Sequence, residues 1–372
     1  MPDGEVRAPG RVNLIGEHID YHGLPVLPIA IDRCIRVRFR ARHDRRICVS
    51  SAGPYGQREF AWTGDLQPVA AGDWENYLRA AANAVVSRWA VRAGVDAWID
   101  SDLPAAAGLS SSSALIVAFA LCLLAANRIE AAFEELMAIL PAGEHFVGTR
   151  GGGMDHAAIL ASRAGCASLI DFAPLGVRHI AVPGDWAFLV AHSLEVAEKS
   201  GSARAAYNAR RQAGVAALAR LGMASYRDVM AAPERHEEFL ARLTGTEERD
   251  AFLHTTSEAA RVADAVKAME AGDAARFGCL LAESQRSLRE RLRVSSPALD
   301  RLVDAAMAGG ALGARLSGAG FGGAIVALVR KSDLPALRRG LTASYYAGRA
   351  DFREADHLID AFPAAGAGIE PR

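Results

Sequence analysis

The sequence contains few cysteines and none of the spacings that a cysteine-based site requires. Its 372 residues include five cysteines, widely scattered and never in a Cys-x-x-Cys pair, which argues against a zinc or dithiol redox site. The first residues also lack the basic and apolar regions of a secretory signal. We therefore expect reduced, mostly buried thiols in a cytoplasmic protein.

Long apolar runs and an excess of one charge are absent as well. The longest apolar run, residues 114–126, has 13 residues, whereas a bilayer span needs about 20, so we interpret it as a buried helix. The chain has 42 Lys and Arg against 43 Asp and Glu, a net charge of −1. Such a balance provides no field that would recruit nucleic acid or a membrane surface, and we expect a small-molecule partner.

The commonest phosphate-binding motif, glycine and four residues followed by Gly-Lys-Ser/Thr, is also missing. Instead, residues 108–114 read GLSSSSA and lie between an extended segment and the apolar helix. The unpaired amides and the dipole of a helix start can hold phosphates, and a serine hydroxyl can face a divalent cation. A serine-rich helix cap without a ligand is the alternative, and the residues alone leave both open.

A dense polar cluster lies near the amino terminus, in residues 8–23. It combines arginine, glutamate, histidine, aspartate and tyrosine, which offer many hydrogen-bonding groups to a polyhydroxylated ligand. Strand-like segments at 25–32 and 35–39 favour a loop held by a scaffold over a freely solvated one.

Three successive glycines precede an aspartate in residues 151–155. Because such a run costs conformational entropy, we interpret it as a place where the backbone closely approaches a ligand. Asp155 stands at the predicted start of the next helix. It is either a catalytic base or a helix-capping carboxylate, and the local pattern does not decide between them.

A second glycine-rich stretch, residues 318–323, formally matches the Gly-x-Gly-x-x-Gly dinucleotide pattern. A strand-like run at 324–329 follows it, where that pattern requires a helix, so we reject a dinucleotide site. The remaining interpretations are a loop that closes against a ligand and a tight hairpin. Elsewhere, Trp74 and Tyr77 fit a helical apolar pattern and are interpreted as core residues.

Turn residues at 172–176 separate a mixed half of the chain from a strongly helical half. This change predicts two domains, residues 1–175 and 176–372. We expect residues 364–372 to be a frayed tail.

Together, three segments resemble the GHMP small-molecule kinases, and within them the galactokinase family. Residues 9–21 (PGRVNLIGEHIDY) resemble the galactokinase signature, whereas 108–112 and 317–323 resemble the second and third GHMP motifs. The resemblance implies an α/β (α+β) fold with a ribosomal protein S5 domain 2-like N-terminal domain and a ferredoxin-like C-terminal domain. It also implies transfer of the γ-phosphoryl group of ATP to the anomeric hydroxyl of galactose, with Mg²⁺.

The same resemblance implies a role for each matching position. Asp155 would be the catalytic base and Arg11 the cation that stabilises the transferring phosphoryl group. The implied sugar-binding residues are Glu17, His18, Asp20, Tyr207, Gly152 and Gly153. The implied nucleotide-binding residues are Ala106, Gly108, Leu109, Ser110, Ser111, Ser112 and Ser113. The implied magnesium positions are Ser112 and Glu144.

Departures from the galactokinase pattern leave the sugar open. Ile19, the fourth serine and the glycine run before Asp155 resemble N-acetylgalactosamine kinases, and we expect Gly151 and Gly153 to enlarge the sugar pocket. Arg150 is the candidate cation for an acidic sugar such as galacturonate. A galactose- and ATP-binding sensor without activity is the alternative from another class, which the intact motifs disfavour. We expect a monomer or weak homodimer.

Overall fold

A computed structural model describes residues 2–53, 55–104, 108–148, 151–195 and 202–371. Two of the residues considered above, Ala106 and Arg150, lie outside these ranges. The strands are β1 (Gly4–Ile15), β2 (Leu27–Ala41), β3 (Arg46–Ser51), β4 (Gln57–Ala61), β5 (Val95–Ser101), β6 (Cys166–Phe172), β7 (Leu175–Ala181), β8 (Trp186–His192), β9 (Gly313–Ser317), β10 (Ala324–Arg330), β11 (Leu358–Ala361) and β12 (Gly368–Pro371).

The helices are α1 (Glu75–Arg88), α2 (Ser111–Ala126), α3 (Phe133–Ile139), α4 (Pro141–Phe146), α5 (Met154–Ala161), α6 (Ser202–Leu221), α7 (Tyr226–Met230), α8 (His236–Arg242), α9 (Thr246–Glu270), α10 (Ala274–Ser287), α11 (Pro297–Ala308), α12 (Leu334–Ala343) and α13 (Glu354–His357). A π-helical turn, Leu288–Leu292, follows α10. Short 3₁₀ turns are formed by Asp20–His22 and Pro233–Arg235. Within the described ranges, no helix combines the length and apolarity that crossing a membrane would require.

The first sheet has the strand order β12-β1-β2-β5-β3-β4. Strand β1 alternates between buried and half-buried residues at its start and is buried on both faces from Ala8 onward, since α2, α5 and α9 contact it there. Helix α2 is apolar on nearly all sides and packs on β1, β2 and α1, as expected for a buried helix. The buried end of β1 carries the polar cluster into the interior.

The second sheet has the antiparallel order β11-β8-β10-β9. Its strands β8 and β9 are buried along their whole length. The glycine-rich stretch connects β9 to β10 as a hairpin in which Ser317 pairs with Ala324. The hairpin interpretation is confirmed, and the strand after Gly323 excludes a dinucleotide-binding helix at this point.

The carboxy-terminal residues differ from expectation. The expected frayed tail is wrong, because β12 pairs antiparallel with β1, from Gly4 opposite Pro371 to Arg7 opposite Gly368. Glycine and proline weaken its strand propensity, and backbone pairing at the sheet edge overrides that propensity.

The predicted domain boundary falls inside β7, which pairs with β6, so the division at residue 175 stays a prediction.

The cysteines are free, as expected. Cys34 and Cys122 are buried, Cys48 and Cys166 are half-buried, and Cys279 is exposed. The expectation of mostly buried thiols therefore holds fully for only two of them.

Candidate active site

The three sequence motifs meet at one cleft of about 1010 Å³. The predicted site residues that line it are Arg11, Glu17, His18, Asp20, Gly108, Ser110, Ser111, Ser112, Glu144, Gly153, Asp155 and Tyr207. Residues 108–114 are called the serine loop here, and Leu109 and Ser113 are its buried members. Gly152 contacts Asp20. The cleft therefore gathers residues from sequence positions more than 300 apart, from Arg11 to Gly322.

An ion pair between Arg11 and Asp155 lies at the centre of the cleft. The guanidinium Nε of Arg11 donates to Asp155 Oδ1 at 2.7 Å, and its Nη1 donates to the Gly108 carbonyl oxygen at 2.8 Å. Asp155 Oδ2 accepts a hydrogen bond from the Ser110 hydroxyl. The carboxylate is thus tied to β1 and to the serine loop, which favours the catalytic interpretation of Asp155 over the helix cap.

The serine loop places the start of α2 against this ion pair. Ser110 precedes the helix with a left-handed backbone (φ 58°, ψ 38°), and its side chain does not cap the helix. Its hydroxyl is used by Asp155 instead. The Ser110 side chain therefore does not occupy the amides at the start of α2, where a helix can bind an anion, and the interpretation of the loop as a simple serine cap is wrong.

Glu144 reaches the serine loop from α4. Its Oε1 accepts a hydrogen bond from the Ser113 hydroxyl at 2.5 Å, whereas Ser112 lines the cleft. Successive helical residues differ in direction by about 100°, so the two serines cannot share one partner equally. Ser112 and Glu144 border the same cleft, but the direct partner of Glu144 is Ser113.

Mg²⁺ prefers oxygen ligands and is commonly bound by one or two carboxylates together with substrate phosphates. The oxygens of Ser112 and Glu144 suit such a shared site. Among the described residues, there is no group of three or more His, Cys, Asp or Glu side chains that could hold a metal by itself. The residues present therefore fit a metal brought with a nucleotide rather than a closed protein site.

His18 connects the polar cluster to the glycine hairpin. Burial, together with the nearby His254, lowers the pKa of His18 to about 3, so its imidazole is neutral at physiological pH. Its Nε2 lies 3.1 Å from the Ala319 carbonyl oxygen, which can only accept. Nε2 therefore carries the proton, and Nδ1 accepts from the Tyr21 hydroxyl at 2.9 Å.

Asp20 lies on the other side of the glycine run from Asp155. Its Oδ2 accepts from the Gly152 amide at 3.1 Å. Burial, assisted by the negative charge of Asp155, raises the pKa of Asp20 to about 6. This carboxyl therefore titrates close to neutral pH.

Tyr207, on α6, closes the same part of the cleft. Its ring centroid lies 5.2 Å from that of His18 and 5.8 Å from that of Tyr21. Burial raises the pKa of Tyr207 well above its ordinary value, which keeps the phenol neutral and able to donate. The structure thus brings together all of the predicted sugar-site residues.

The Glu17 carboxylate contacts Arg315 of β9 and Gly318 of the glycine-rich hairpin. Its Oε1 accepts from the Gly318 amide at 2.7 Å and lies 3.1 Å from Arg315 Nη2. Sequence reasoning missed Arg315. The signal was available, because Arg315 is a charged residue in the otherwise apolar approach to the glycine hairpin.

The glycines before Asp155 differ in what an added side chain would meet. A Cβ atom at Gly153 would lie 3.3 Å from Met137 and 3.4 Å from Pro141, neither of which lines the cleft. Gly153 has a φ of 97° at the start of α5, a conformation that favours glycine. The expectation that Gly153 widens the sugar pocket is therefore wrong. A Cβ at Gly151 would meet Glu144 Oε2 at 3.0 Å, and both residues line the cleft, so the expectation for Gly151 stays a prediction.

Aromatic residues form the wall of the cleft beyond the serine loop. Tyr55, Trp74 and Tyr77 line it, and Trp74 donates from its indole Nε1 to the Tyr55 carbonyl at 2.9 Å. Trp74 and Tyr77 also pack against the core. Their interpretation as core residues was therefore incomplete, because helical spacing does not distinguish a core face from a cleft wall.

Family models match three segments of the chain. The galactokinase galactose-binding signature matches residues 2–41, the GHMP kinases N terminal domain matches 76–163, and the GHMP kinases C terminal model matches 265–347. These segments contain the polar cluster, the serine loop with Asp155, and the glycine hairpin. The order of the matches agrees with the two-part α/β architecture described above.

Relatives cover nearly the whole chain. It is 39% identical over 353 residues to a galactokinase of Roseiflexus sp. (strain RS-1), an alignment that covers 92% of this chain and 87% of that protein. It is 36% identical over 376 residues to a galactokinase of Chloroflexus aurantiacus, covering 99% and 93%. The fold is similar to that of Lactococcus lactis galactokinase complexed with galactose, with a TM-score of 0.87, 26% identity and coverage of 98% and 94%.

Proposed function

Because this chain belongs to the galactokinase family of GHMP kinases, we propose that it transfers the γ-phosphoryl group of ATP to the anomeric hydroxyl of galactose. The products are galactose 1-phosphate and ADP. The observation that carries the proposal is the Arg11–Asp155 ion pair, which lines the cleft and connects the polar cluster to Gly108 and Ser110. An acceptor hydroxyl and a nucleotide phosphate can approach the pair from opposite sides.

Asp155 is proposed to accept or orient the proton of the acceptor hydroxyl. Arg11 Nε and the Ser110 hydroxyl fix the two oxygens of its carboxylate, so little reorganisation is needed when the sugar binds. Arg11 also supplies positive charge next to the transferring group, where phosphoryl transfer needs electrostatic stabilisation.

The nucleotide is proposed to bind along the serine loop. Gly108, Ser111 and Ser112 line the cleft, and with Leu109 and the first amides of α2 they would form the phosphate side. The wall formed by Trp74 and Tyr77 offers flat apolar surfaces to a nucleotide base. Ser113 contributes indirectly, by holding Glu144.

Ser112 and Glu144 are proposed to hold Mg²⁺ together with the nucleotide phosphates. When bound, the ion would neutralise phosphate charge and orient the γ-phosphoryl group. The hydrogen bond from Ser113 fixes one oxygen of this carboxylate, and Glu144 lines the cleft. These oxygen ligands suit a hard divalent cation.

The sugar is proposed to bind among Glu17, His18, Asp20 and Tyr207, with Gly152 shaping the floor. These residues provide both acceptors and donors, since carboxylates accept and the neutral phenol donates.

We also propose two domains, residues 1–175 and 176–372. The protein is proposed to be cytoplasmic and to be a monomer or a weak homodimer.

The test of the proposed function is ADP release by the purified protein with ATP, with and without Mg²⁺. The sugars are galactose, N-acetylgalactosamine, galacturonate, arabinose and glucose. We expect galactose to have the highest kcat/KM and removal of Mg²⁺ to abolish turnover. Preference for N-acetylgalactosamine would assign a different substrate, whereas sugar binding without any turnover would indicate a sensor.

The pKa of Asp20 predicts a pH dependence of sugar binding. Its carboxyl has a pKa of about 6, so it is mostly ionised at pH 7.5 and mostly protonated at pH 5. Because the ionised form accepts sugar hydroxyls at both oxygens, we expect the galactose KM to rise about tenfold between pH 7.5 and pH 5. His18 and His254 have pKa values of about 3 and 4 and stay neutral over this range.

This expectation is checked by initial rates at several galactose concentrations across that pH range. The Asp20→Asn variant serves as the control, since its amide does not titrate and its galactose KM should stay level as pH falls. A wild-type galactose KM that does not change between pH 7.5 and pH 5 would contradict the assignment.

A further inference from the structure

We propose that Arg315 is a positioning residue for the sugar site. Arg315 fixes the Glu17 carboxylate, which in turn connects to the serine loop. This inference rests on the proposed function, because it assigns Glu17 to sugar binding. Arg315 does not line the cleft and acts through its neighbours.

Arg315 contacts the first sheet at an irregularity between β1 and β2. Where β1 pairs with β2, Asn13 lies opposite Pro28, and the register shifts before Ile15. Proline has no N–H group, so it cannot donate to the strand opposite. Arg315 Nη1 donates to the Leu14 carbonyl at 2.8 Å and to the Asn13 carbonyl at 3.3 Å, and the Ser317 hydroxyl also donates to the Asn13 carbonyl, at 3.2 Å.

The same guanidinium holds the carboxylate of Glu17. Arg315 is fully buried, and Glu17 is 2% exposed, so each charge depends on the other for compensation. Arg315 Nη2 lies 3.1 Å from Glu17 Oε1. Burial lowers the pKa of Arg315 to about 9, which leaves the guanidinium charged at neutral pH.

These contacts select which oxygen of Glu17 is offered to a ligand. Within the described part of the chain, the carboxylate contacts to Arg315 and to the Gly318 amide both use Oε1. Glu17 itself lines the cleft, and we infer that Oε2 is the oxygen available to a ligand there. A single-point cation such as lysine could compensate the charge but could not also bridge the two carbonyls.

Through the Gly318 amide, the Glu17 carboxylate is also connected to the serine loop. A Cβ atom at Gly318 would lie 3.5 Å from the Gly108 carbonyl oxygen, so the glycine hairpin rests directly on the loop. That carbonyl also accepts from Arg11. The position of Gly318, which Glu17 fixes through its amide, therefore bears on both halves of the active site.

Other buried groups hold the backbone of this loop but not the carboxylate. Glu258 Oε1 accepts from the Gly16 amide at 2.9 Å, and His254 Nε2 donates to the Glu17 carbonyl at 2.9 Å. Both residues belong to α9. Arg315 is thus the described cation that contacts the Glu17 side chain, and its role differs from general support of the loop.

The test is a double-mutant cycle with Arg315→Lys, Glu17→Gln and the double variant. For Arg315→Lys we expect the galactose KM to rise about tenfold, and the ATP KM to change less, because Glu17 rather than the serine loop is the direct partner of Arg315. The urea midpoint should fall, because lysine cannot donate to both buried carbonyls, so the cycle is evaluated on the galactose KM of the folded variants. In the Glu17→Gln background the same change should alter the galactose KM by less than about twofold, because the group it positions is already altered. Arg338→Lys is the matched control, since Arg338 also binds a carbonyl and a carboxylate, those of Leu358 and Asp360, outside the cleft.

If the rise in galactose KM in the double variant equals the product of the rises in the two single variants, the inference is overturned, because Arg315 then acts independently of Glu17. If Arg315→Lys does not fold, Arg315→Gln is combined with Glu17→Gln, which leaves no unpaired buried charge. That double variant should match Glu17→Gln in galactose KM, and a further tenfold rise would overturn the inference. Wild-type turnover of galactose is measured first, so failure of the proposed function is seen separately; if another sugar of the panel is used, the cycle is run with that sugar.

Discussion

Replacing Asp155 with asparagine is expected to lower kcat for galactose by about 10³-fold. The amide cannot take the proton of the acceptor hydroxyl, and the buried guanidinium of Arg11 loses the carboxylate that lies 2.7 Å away. The Ser110 hydroxyl loses a charged acceptor at the same time. The measurement is ADP release at saturating ATP and galactose.

The matched control is Asp304→Asn, which makes the same chemical change at an exposed position of α11. It should leave kcat and both KM values unchanged. Circular dichroism and urea unfolding of both variants separate a chemical loss from a folding loss. A kcat for Asp155→Asn within about tenfold of wild type would contradict the role given to this carboxylate.

Placing a methyl group at position 152 is expected to raise the galactose KM by about two orders of magnitude. A Cβ atom at Gly152 would lie 2.4 Å from the Asp20 carbonyl carbon and from the Tyr21 nitrogen. These are backbone atoms and cannot rotate away as a flexible side chain could. Asp20 must therefore move, and overpacking of this kind costs about 1–3 kcal/mol of stability.

The Gly152→Ala variant is compared with Gly184→Ala, because a Cβ at Gly184 would meet nothing within 4 Å. Galactose titrations give the KM, and urea unfolding gives the change in stability. We expect Gly184→Ala to match wild type in both. An unchanged galactose KM in Gly152→Ala would show that Asp20 does not need the position seen here.

Much of the local structure could be predicted from the sequence. The strands at Val95–Ser101 and Cys166–Phe172 begin and end where the apolar patterns place them. The apolar helix after the serine loop and the hairpin after Ser317 also appear as expected. These elements have strong local patterns, and tertiary contacts reinforce the conformations that their residues already favour.

The side-chain geometry of the site could not be predicted in the same way. Spacing identifies the row of serines but not that Ser113, rather than Ser112, contacts Glu144. Spacing identifies the glycine run but not that a Cβ at Gly153 would point away from the cleft. Both outcomes depend on the rotation of one helix against another, which the sequence pattern leaves undetermined.

The missed contributions share a long-range origin. Arg315 contacts carbonyls about 300 positions earlier in the chain, at a point where β1 lies opposite Pro28. Strand β12 has little propensity of its own and forms because β1 offers a free edge. Neither feature leaves a periodic signal in its own segment.

The pairing of β12 with β1 has a consequence for biosynthesis. Strand β1 carries Arg11, and its edge partner is translated more than 350 residues later. At about 5–20 residues per second, the nascent chain waits tens of seconds with one edge of this sheet uncovered. Exposed edges invite pairing with other chains, so this interval is when the nascent chain depends most on protection from aggregation.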